Sequence, residues 1–116
     1  MTVEILIVGT IEVEPRRRGA LLEAVRPYVE RTRAEESGCR DYAFMADTVD
    51  DDRIVVVERW ADEESLAAHF VHPNMAATRR ALRENGSGTS HIAKYRVDRA
   101  EPVRDAAGRY RADFTG

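Results

Sequence analysis

The positions of hydrophobic and polar residues along the chain predict four strands and two helical segments. Strands are predicted where β-branched residues dominate or apolar residues alternate with polar ones. They cover residues 3–13, 39–47, 53–60 and 90–99. The helical segments run from Pro15 to the glycine stop at Gly38 and from Asp62 to Asn85, because apolar residues recur there at helical spacing. Proline predicts a kink at Pro27 and a break at Pro73.

This order of elements, β-α-β-β-α-β, predicts an α+β fold of the ferredoxin-like, split β-α-β type with an antiparallel sheet. Two helical segments can cover only one face of a four-stranded sheet. Yet apolar residues occupy both faces of two strands. In the first strand, Leu6 and Val8 lie on one face and Ile5 and Ile7 on the other. In the third strand, Val55 and Val57 lie on one face and Ile54 and Val56 on the other. A large open apolar face is rare on a soluble monomer. The sequence therefore predicts a homodimer that packs sheet to sheet.

The length of 116 residues is that of one domain. We expect this domain to occupy residues 1–100. Residues 101–116 form a polar tail in which only Val103, Tyr110 and Phe114 could act as anchors, and we expect the tail to contact the partner subunit.

The composition and the N-terminal residues narrow the range of partners and locations. The net charge is −3, and acidic and basic residues alternate, so nucleic-acid binding is not expected. The first ten residues carry Glu4 within a short apolar run and have no basic leader, so we expect neither a membrane span nor a signal peptide. A cytoplasmic location is the resulting expectation.

Cofactor sites are not indicated. Cys39 is the single cysteine, and the three histidines show no H-x-H or H-E-x-x-H spacing, so the sequence does not predict a metal site. The glycines at positions 86 and 88 precede a strand rather than a helix, unlike a dinucleotide-binding loop. We expect no flavin, nicotinamide or metal cofactor.

Trp60 and His69 are the strongest candidates for chemistry. Trp60 closes the third strand, and His69 follows nine residues later on the apolar side of the next helix. An aromatic wall next to a titratable ring suits a cavity for an aromatic ligand, and histidine can accept a proton near neutral pH. The other interpretation is a core tryptophan beneath a hydrogen-bonded core histidine. The pattern leaves both open.

Five further residues are candidates for substrate binding. Aromatic side chains could supply flat walls at Tyr42, Phe44, Phe70 and Tyr95. Glu58 alternates with Val56 and Trp60 on one strand face. A carboxylate among apolar neighbours could have a raised pKa and act as an acid or base. It could equally pair with an arginine in a structural role.

Three segments resemble the antibiotic biosynthesis monooxygenase (ABM) domain family: T-R-A-E-E-S-G-C-R-D-Y at 32–42, V-E-R-W at 57–60 and S-L-A-A-H at 65–69. The resemblance covers residues 3–98 and implies a dimeric α/β barrel. Trp60 resembles the family's strand-end tryptophan beside the pocket, and His69 resembles its helix histidine. The motifs mark the fold family rather than the substrate.

The resemblance implies a cofactor-independent monooxygenase that uses molecular oxygen to oxidise a small aromatic substrate, a quinol or polycyclic aromatic phenol. Two alternatives remain. The heme-degrading branch of the family also resembles the chain at Trp60 and His69, but it uses an asparagine on the first strand, where this chain has none. The second alternative is a lyase or isomerase, or a non-enzymatic dimeric module that binds a small ligand.

Overall fold

The computed structural model describes residues 4–115 and contains four strands and three helices. The strands are β1 (Glu4–Val13), β2 (Cys39–Ala46), β3 (Arg53–Trp60) and β4 (Ser87–Val97), and the helices are α1 (Arg18–Glu35), α2 (Glu63–Phe70) and α3 (Pro73–Glu84). A 3-10 turn at Pro15–Arg17 leads into α1. The predicted strand start at Val3 and the tail residue Gly116 lie outside the described residues.

The strands form one sheet in the order β2-β3-β1-β4, with all neighbours antiparallel. This arrangement confirms the predicted α+β, ferredoxin-like fold. The central strand β1 places Ile5 opposite Trp60 of β3 on one side and opposite Arg96 of β4 on the other. The end of β3, where the candidate tryptophan lies, is therefore held in the middle of the sheet.

The helices cover one face of the sheet. The buried core on this face consists of Ile5, Ile7, Ile11, Val13, Tyr42, Ile54, Val56 and Trp60 from the strands, with Leu21, Val25, Leu66 and Ala81 from the helices. The intervening strand residues point the other way, and several of them are large and apolar: Leu6, Val8, Met45, Val55, Val57 and Tyr95. We call this second surface the open face.

Each of α2 and α3 begins at a side-chain cap, and the second cap lies at the break between the two helices. The Asp62 carboxylate accepts a hydrogen bond from the backbone N–H of Ser65 at 2.7 Å and begins α2. His72 Nδ1 accepts one from the N–H of Asn74 at 3.0 Å and begins α3, with Pro73 in its first turn. The predicted break at Pro73 is confirmed.

Four boundaries differ from the sequence prediction. The strand β4 begins at Ser87 rather than at residue 90, because pairing with β1 extends to Val13 opposite Ser87. The same strand ends at Val97, opposite Glu4, rather than at residue 99. The strand β2 ends at Ala46. The helix α1 ends at Glu35, with Glu36 as its C-cap. Gly38 does not have a positive φ and is therefore not a left-handed helix stop.

The tail folds back on itself. Arg104 and Tyr110 form an isolated antiparallel bridge, and the Glu101 carboxylate accepts hydrogen bonds from the backbone N–H and hydroxyl of Thr115. The tail's three large apolar side chains, Val103, Tyr110 and Phe114, are all exposed. Within residues 4–115, no helix combines the length and apolarity needed to cross a membrane.

Candidate active site

Trp60 and His69 form a stacked pair at the centre of the candidate site. The last residue of β3 places the indole, and the last turn of α2 places the imidazole above it. The ring centroids lie 4.5 Å apart with the planes inclined by 32°. Trp60 is 0% exposed and His69 is 1% exposed. The structure thus brings together the two residues that the sequence singled out, and it buries both of them.

His69 has one partnered and one unpartnered ring nitrogen. Its Nδ1 lies 2.8 Å from Oε1 of Glu36, while its Nε2 is buried and has no hydrogen-bond partner among the described residues. A buried polar atom without a partner costs about 1–3 kcal/mol, so proteins rarely retain one without a reason. Asn74 also contacts Glu36, donating from Nδ2 to Oε2 at 3.1 Å.

Glu58 lies on the other side of the indole. Trp60 Nε1 donates to Glu58 Oε1 at 2.9 Å. Sequence reasoning favoured an arginine as the partner of Glu58; the structure provides this indole N–H instead. Burial raises the pKa of the Glu58 carboxyl group, and the Trp60 hydrogen bond and the nearby His69 only partly oppose that effect.

Tyr42 and Phe44 of β2 complete an aromatic wall. The Tyr42 ring meets the rings of Phe44, Trp60 and His69 edge to face, with centroids 5.4, 6.2 and 5.2 Å away. Burial, followed by the neighbouring Glu58 carboxylate, raises the pKa of the Tyr42 phenol. Cys39, at the start of the same strand, has its pKa raised to about 11 by burial and by the Glu36 and Glu58 carboxylates. Such a site disfavours additional negative charge.

Three cavities adjoin this cluster. The inner cavity, between α3 and the sheet, measures about 220 Å³ and is lined by Tyr42, Phe44 and Glu58 together with Ile11, Val56, Met75, Thr78, Arg79, Leu82, Ser90 and Ile92. The outer groove, between α2 and β4, measures about 440 Å³ and is lined by Ile5, Glu63, Leu66, Ala67, Phe70, Lys94, Tyr95 and Arg96. A third groove, beside the α1–β2 turn and α2, measures about 340 Å³ and is lined by Trp60 together with Glu35, Glu36, Ser37, Gly38, Asp62, Glu64, Ser65, Ala68 and His72. His69 is not among the residues lining any of these three spaces.

The seven candidate residues therefore separate into two groups. Five of them, Tyr42, Phe44, Glu58, Trp60 and His69, form the buried cluster, and three of these, Tyr42, Phe44 and Glu58, also line the inner cavity. Phe70 and Tyr95 are each 53% exposed and line the outer groove. The Phe70 and His69 ring centroids are 6.2 Å apart, so the groove and the cluster are neighbours across one helical turn.

A metal site is not found in the part of the chain that the structure describes, since no group of three or more His, Cys, Asp or Glu side chains is placed to hold an ion. His91 lies on the open face beside Glu12, with its Nε2 3.2 Å from Oε2 of that residue. His72 serves as a helix cap. Its Nδ1 also lies 3.9 Å from Glu36 Oε2, so His69 and His72 flank the same carboxylate while His91 lies apart from them.

Sequence reasoning missed Glu36 and Asn74. Glu36 follows a second glutamate at a helix end, which is typical of a solvent-exposed residue, yet its side chain is only 7% exposed. Asn74 follows Pro73 in the first turn of α3 and is also buried. What identifies them is the pairing of a helix-end carboxylate with the buried histidine at position 69. Local sequence patterns do not reveal this pairing, because the partners are far apart along the chain.

Comparison with known proteins places these features in a family context. The family model described as "Antibiotic biosynthesis monooxygenase" matches residues 4–81, more than half of the chain. No curated protein sequence matches the chain significantly.

Several solved structures share the fold. One is a provisionally assigned antibiotic biosynthesis monooxygenase from Caulobacter crescentus, with a TM-score of 0.76, 21% identity and coverage of 86% of this chain and 92% of that one. A conserved protein from Methanosarcina mazei has a TM-score of 0.74 and 24% identity, with 84% and 95% covered. A Pseudomonas aeruginosa protein has a TM-score of 0.68 and 26% identity, with 83% and 94% covered.

Proposed function

Because this chain belongs to the antibiotic biosynthesis monooxygenase family, we propose that it is a cofactor-independent monooxygenase that oxidises a quinol or a polycyclic aromatic phenol with molecular oxygen. His69 is the proton acceptor in this proposal, and Trp60 is the aromatic wall beside it. Tyr42, Phe44 and Glu58 contact the substrate from the inner cavity, and Phe70 and Tyr95 contact it from the outer groove.

The observation that carries this proposal is the unpartnered Nε2 of His69. Its lone pair is enclosed among the rings of Trp60 and Tyr42, where water is excluded. A histidine that only filled the core would be expected to hydrogen-bond through both nitrogens or to direct one towards solvent. A free acceptor in a dry, flat, aromatic setting is what the removal of a phenolic proton requires.

The proposed chemistry begins with transfer of a hydroxyl proton from the substrate to His69 Nε2. The resulting electron-rich anion can reduce molecular oxygen directly, so the protein has to supply only the base and the dry site. For a quinol, one oxygen atom enters the ring to give a hydroxyquinone and the other leaves as water, which balances the four electrons that dioxygen accepts. Substrate binding must open the cluster, because Nε2 is closed off in this structure.

The cavity volumes bear on substrate size. A cavity of about 150 Å³ is sufficient to hold benzene, so the inner cavity of about 220 Å³ has room for a single-ring quinol. A polycyclic substrate would also need the outer groove of about 440 Å³. The two spaces are adjacent along β4, since Ile92 lines the first and Lys94 the second.

One position on β1 disfavours the heme alternative. The heme-degrading branch uses an asparagine on the first strand, and the strand β1 contains none. Iron ligation through His69 Nε2 would require the cluster to open, as proton transfer to the same atom does, so the burial of His69 does not separate these two functions. A non-enzymatic module would make no use of a free histidine acceptor. The monooxygenase is therefore favoured over both alternatives.

We further propose that the working unit is a homodimer in which two open faces pack against each other, with the tail contacting the partner subunit. The open face presents Val8 and Met45 as exposed large apolar side chains, with Tyr95 at its edge on β4, where it also lines the outer groove. Burying them would offset the cost of association. The exposed Val103, Tyr110 and Phe114 of the tail offer apolar anchors for the same partner.

The test of the proposed function is the variant His69→Ala. Loss of a general base is expected to slow oxygen consumption on a hydroquinone by about 10²–10⁴-fold. The loss should become smaller at high pH, where the substrate ionises without help. The control is Arg16→Ala, which changes a side chain that is 90% exposed in the turn before α1, away from both the site and the open face.

Thermal stability measured on the same samples distinguishes a catalytic role of His69 from a purely structural one. If turnover per folded molecule survives while the melting temperature falls, His69 is a structural residue and the proposal is wrong. If no quinol or anthrone is consumed by the wild-type protein, the proposed reaction itself is wrong.

A further inference from the structure

Three helices meet at the carboxylate of Glu36. Glu36 is the C-cap of α1, His69 lies in the last turn of α2, and Asn74 lies in the first turn of α3. Each carboxylate oxygen has its own partner, since Oε1 lies 2.8 Å from His69 Nδ1 and Oε2 accepts from Asn74 Nδ2 at 3.1 Å. The carboxylate is therefore fixed from two directions, and its side chain is almost entirely buried.

This arrangement determines which ring nitrogen of His69 carries the proton. A carboxylate can only accept hydrogen bonds, so a neutral imidazole beside it must place its N–H at Nδ1. The other nitrogen, Nε2, is then left with a lone pair. Nε2 is the buried atom that has no partner among the described residues. The hydrogen bond at one side of the ring thus accounts for the free acceptor at the other.

We propose that Glu36 is a positioning residue that holds His69 as the Nδ1–H tautomer, with Asn74 orienting the carboxylate, so that Nε2 is available as the proton acceptor. This inference rests on the proposed function for its catalytic meaning. Once His69 has taken a proton, the adjacent carboxylate also stabilises the positive imidazolium ring, as a buried opposite charge would.

The alternative is that Glu36 only satisfies polar groups between three helix ends. That role would account for both hydrogen bonds but would not require a particular tautomer of His69. The two possibilities differ in a property that can be observed without any substrate, namely the position of the imidazole proton.

The first measurement is nitrogen NMR of the histidine ring in the wild-type protein, at a pH well above the ordinary histidine pKa of about 6.5. We expect His69 to give the signature of the Nδ1–H tautomer. The Nε2–H tautomer in the wild-type protein would overturn the proposal. Because no substrate is present, this outcome does not depend on whether the chain oxidises quinols.

The second measurement uses Glu36→Gln, which keeps the size of the side chain. The oxygen of the new amide is expected to accept from Asn74, which turns its NH2 group towards His69 Nδ1 and moves the ring proton to Nε2. We expect kcat to fall by about 10²–10⁴-fold with little change in KM, since a wrong tautomer in a histidine–carboxylate pair has an effect of this size. The matched control is Glu35→Gln at the exposed neighbouring position.

A third variant tests rescue. In Glu36→Gln combined with Asn74→Asp, the carboxylate moves to position 74 and accepts from the amide NH2 of residue 36, so that the amide oxygen again faces His69 Nδ1. We expect the Nδ1–H tautomer and a large part of kcat to return. In Glu36→Leu, residue 36 cannot accept from Nδ1, so an unchanged Nδ1–H tautomer in that variant would show that Glu36 is purely structural. A rescue of stability without a rescue of the tautomer in the double variant would show the same.

Discussion

Glu58 has the most unusual environment of the carboxyl groups in the sheet. It faces the helices between Val56 and Trp60, and burial raises its pKa from the ordinary value of 4.5. The indole N–H of Trp60 stabilises the ionised form only in part. The folded protein therefore holds the Glu58 proton to a higher pH than the unfolded chain does.

The difference between the Glu58 pKa values of the folded and unfolded states determines how the free energy of unfolding changes with pH. Below pH 4.5 the carboxyl group is protonated in both states and adds no pH dependence. Between that pH and the raised pKa of the folded state, the unfolded chain loses the proton first, so the free energy of unfolding falls as the pH rises. The variant Glu58→Gln keeps an oxygen for the Trp60 N–H and removes the titration.

We therefore expect Glu58→Gln to gain stability relative to the wild type as the pH rises through this window, and to hold a constant advantage above it. A pKa that is higher by one in the folded protein than in the unfolded chain corresponds to about 1.4 kcal/mol of that advantage. Urea unfolding at a series of pH values measures the difference. Parallel curves for the two proteins would show that Glu58 titrates alike in the folded and unfolded states.

The residues of the site illustrate how far the sequence could predict the chemistry. Trp60 and His69 were identified because each lies at a recognisable place in a strand or an amphipathic helix. Glu36 was not, because its hydrogen-bond partners lie 33 and 38 positions further along the chain. A contact over that distance depends on how three helices pack, and no local pattern records it.

At the scale of the elements, Gly38 sets the distance between β2 and α2. A Cβ atom at this position would overlap the Cβ and Oγ atoms of Ser65, while the Ser65 Cα would be 3.5 Å away. The backbone carbonyl of Gly38 also accepts from the N–H of Ala61 at 2.8 Å. The lack of a side chain thus allows α2, which carries His69, to approach the sheet closely.

We expect Gly38→Ala to destabilise the protein by about 1–3 kcal/mol, since overpacking forces the backbone to shift. Ser65→Gly alone should cost about 1 kcal/mol of helix stability. The double variant should lose less than the sum of the two, because removing the Ser65 side chain makes room for the new methyl group. Chemical unfolding of the wild type, the two single variants and the double variant gives a double-mutant cycle. If the two losses of unfolding free energy simply add in the double variant, the proposed clash is wrong.

The elements also show where hydrophobic patterns are reliable. The strand β3 was predicted with its observed bounds because four consecutive β-branched residues, Ile54–Val57, have a strong strand preference. The strand β4 was placed three residues late, because its first residues, Ser87 and Gly88, are typical of a turn. Their place in the sheet comes from pairing with β1 and not from their own preference.

At the scale of the whole molecule, the open face is an apolar surface that remains exposed in a single copy of the chain. Val55 and Val57 lie at its centre, next to Val8 of β1 and Met45 of β2. Ion pairs of Arg59 with Glu4 and Asp41 lie at one end of this surface. An apolar centre with a charged border is typical of a surface that binds another protein.

We expect Val57→Arg to convert the proposed homodimer into a monomer, because each copy would place an unpaired charge in the centre of the proposed interface. Light scattering at micromolar concentration measures the molar mass. Val49→Arg is the matched control, since Val49 lies exposed in the turn between β2 and β3. A wild-type protein that is monomeric under these conditions would contradict the sheet-to-sheet dimer.

The outer groove has one property that follows from the basic residues of the chain. Of its 18 basic residues, 17 are arginines, and the single lysine, Lys94, lines the groove between α2 and β4. Reagents that acylate amines therefore have one side-chain target in this sequence. A fluorophore attached there would lie beside Phe70, so that its emission would report directly on molecules that enter the groove.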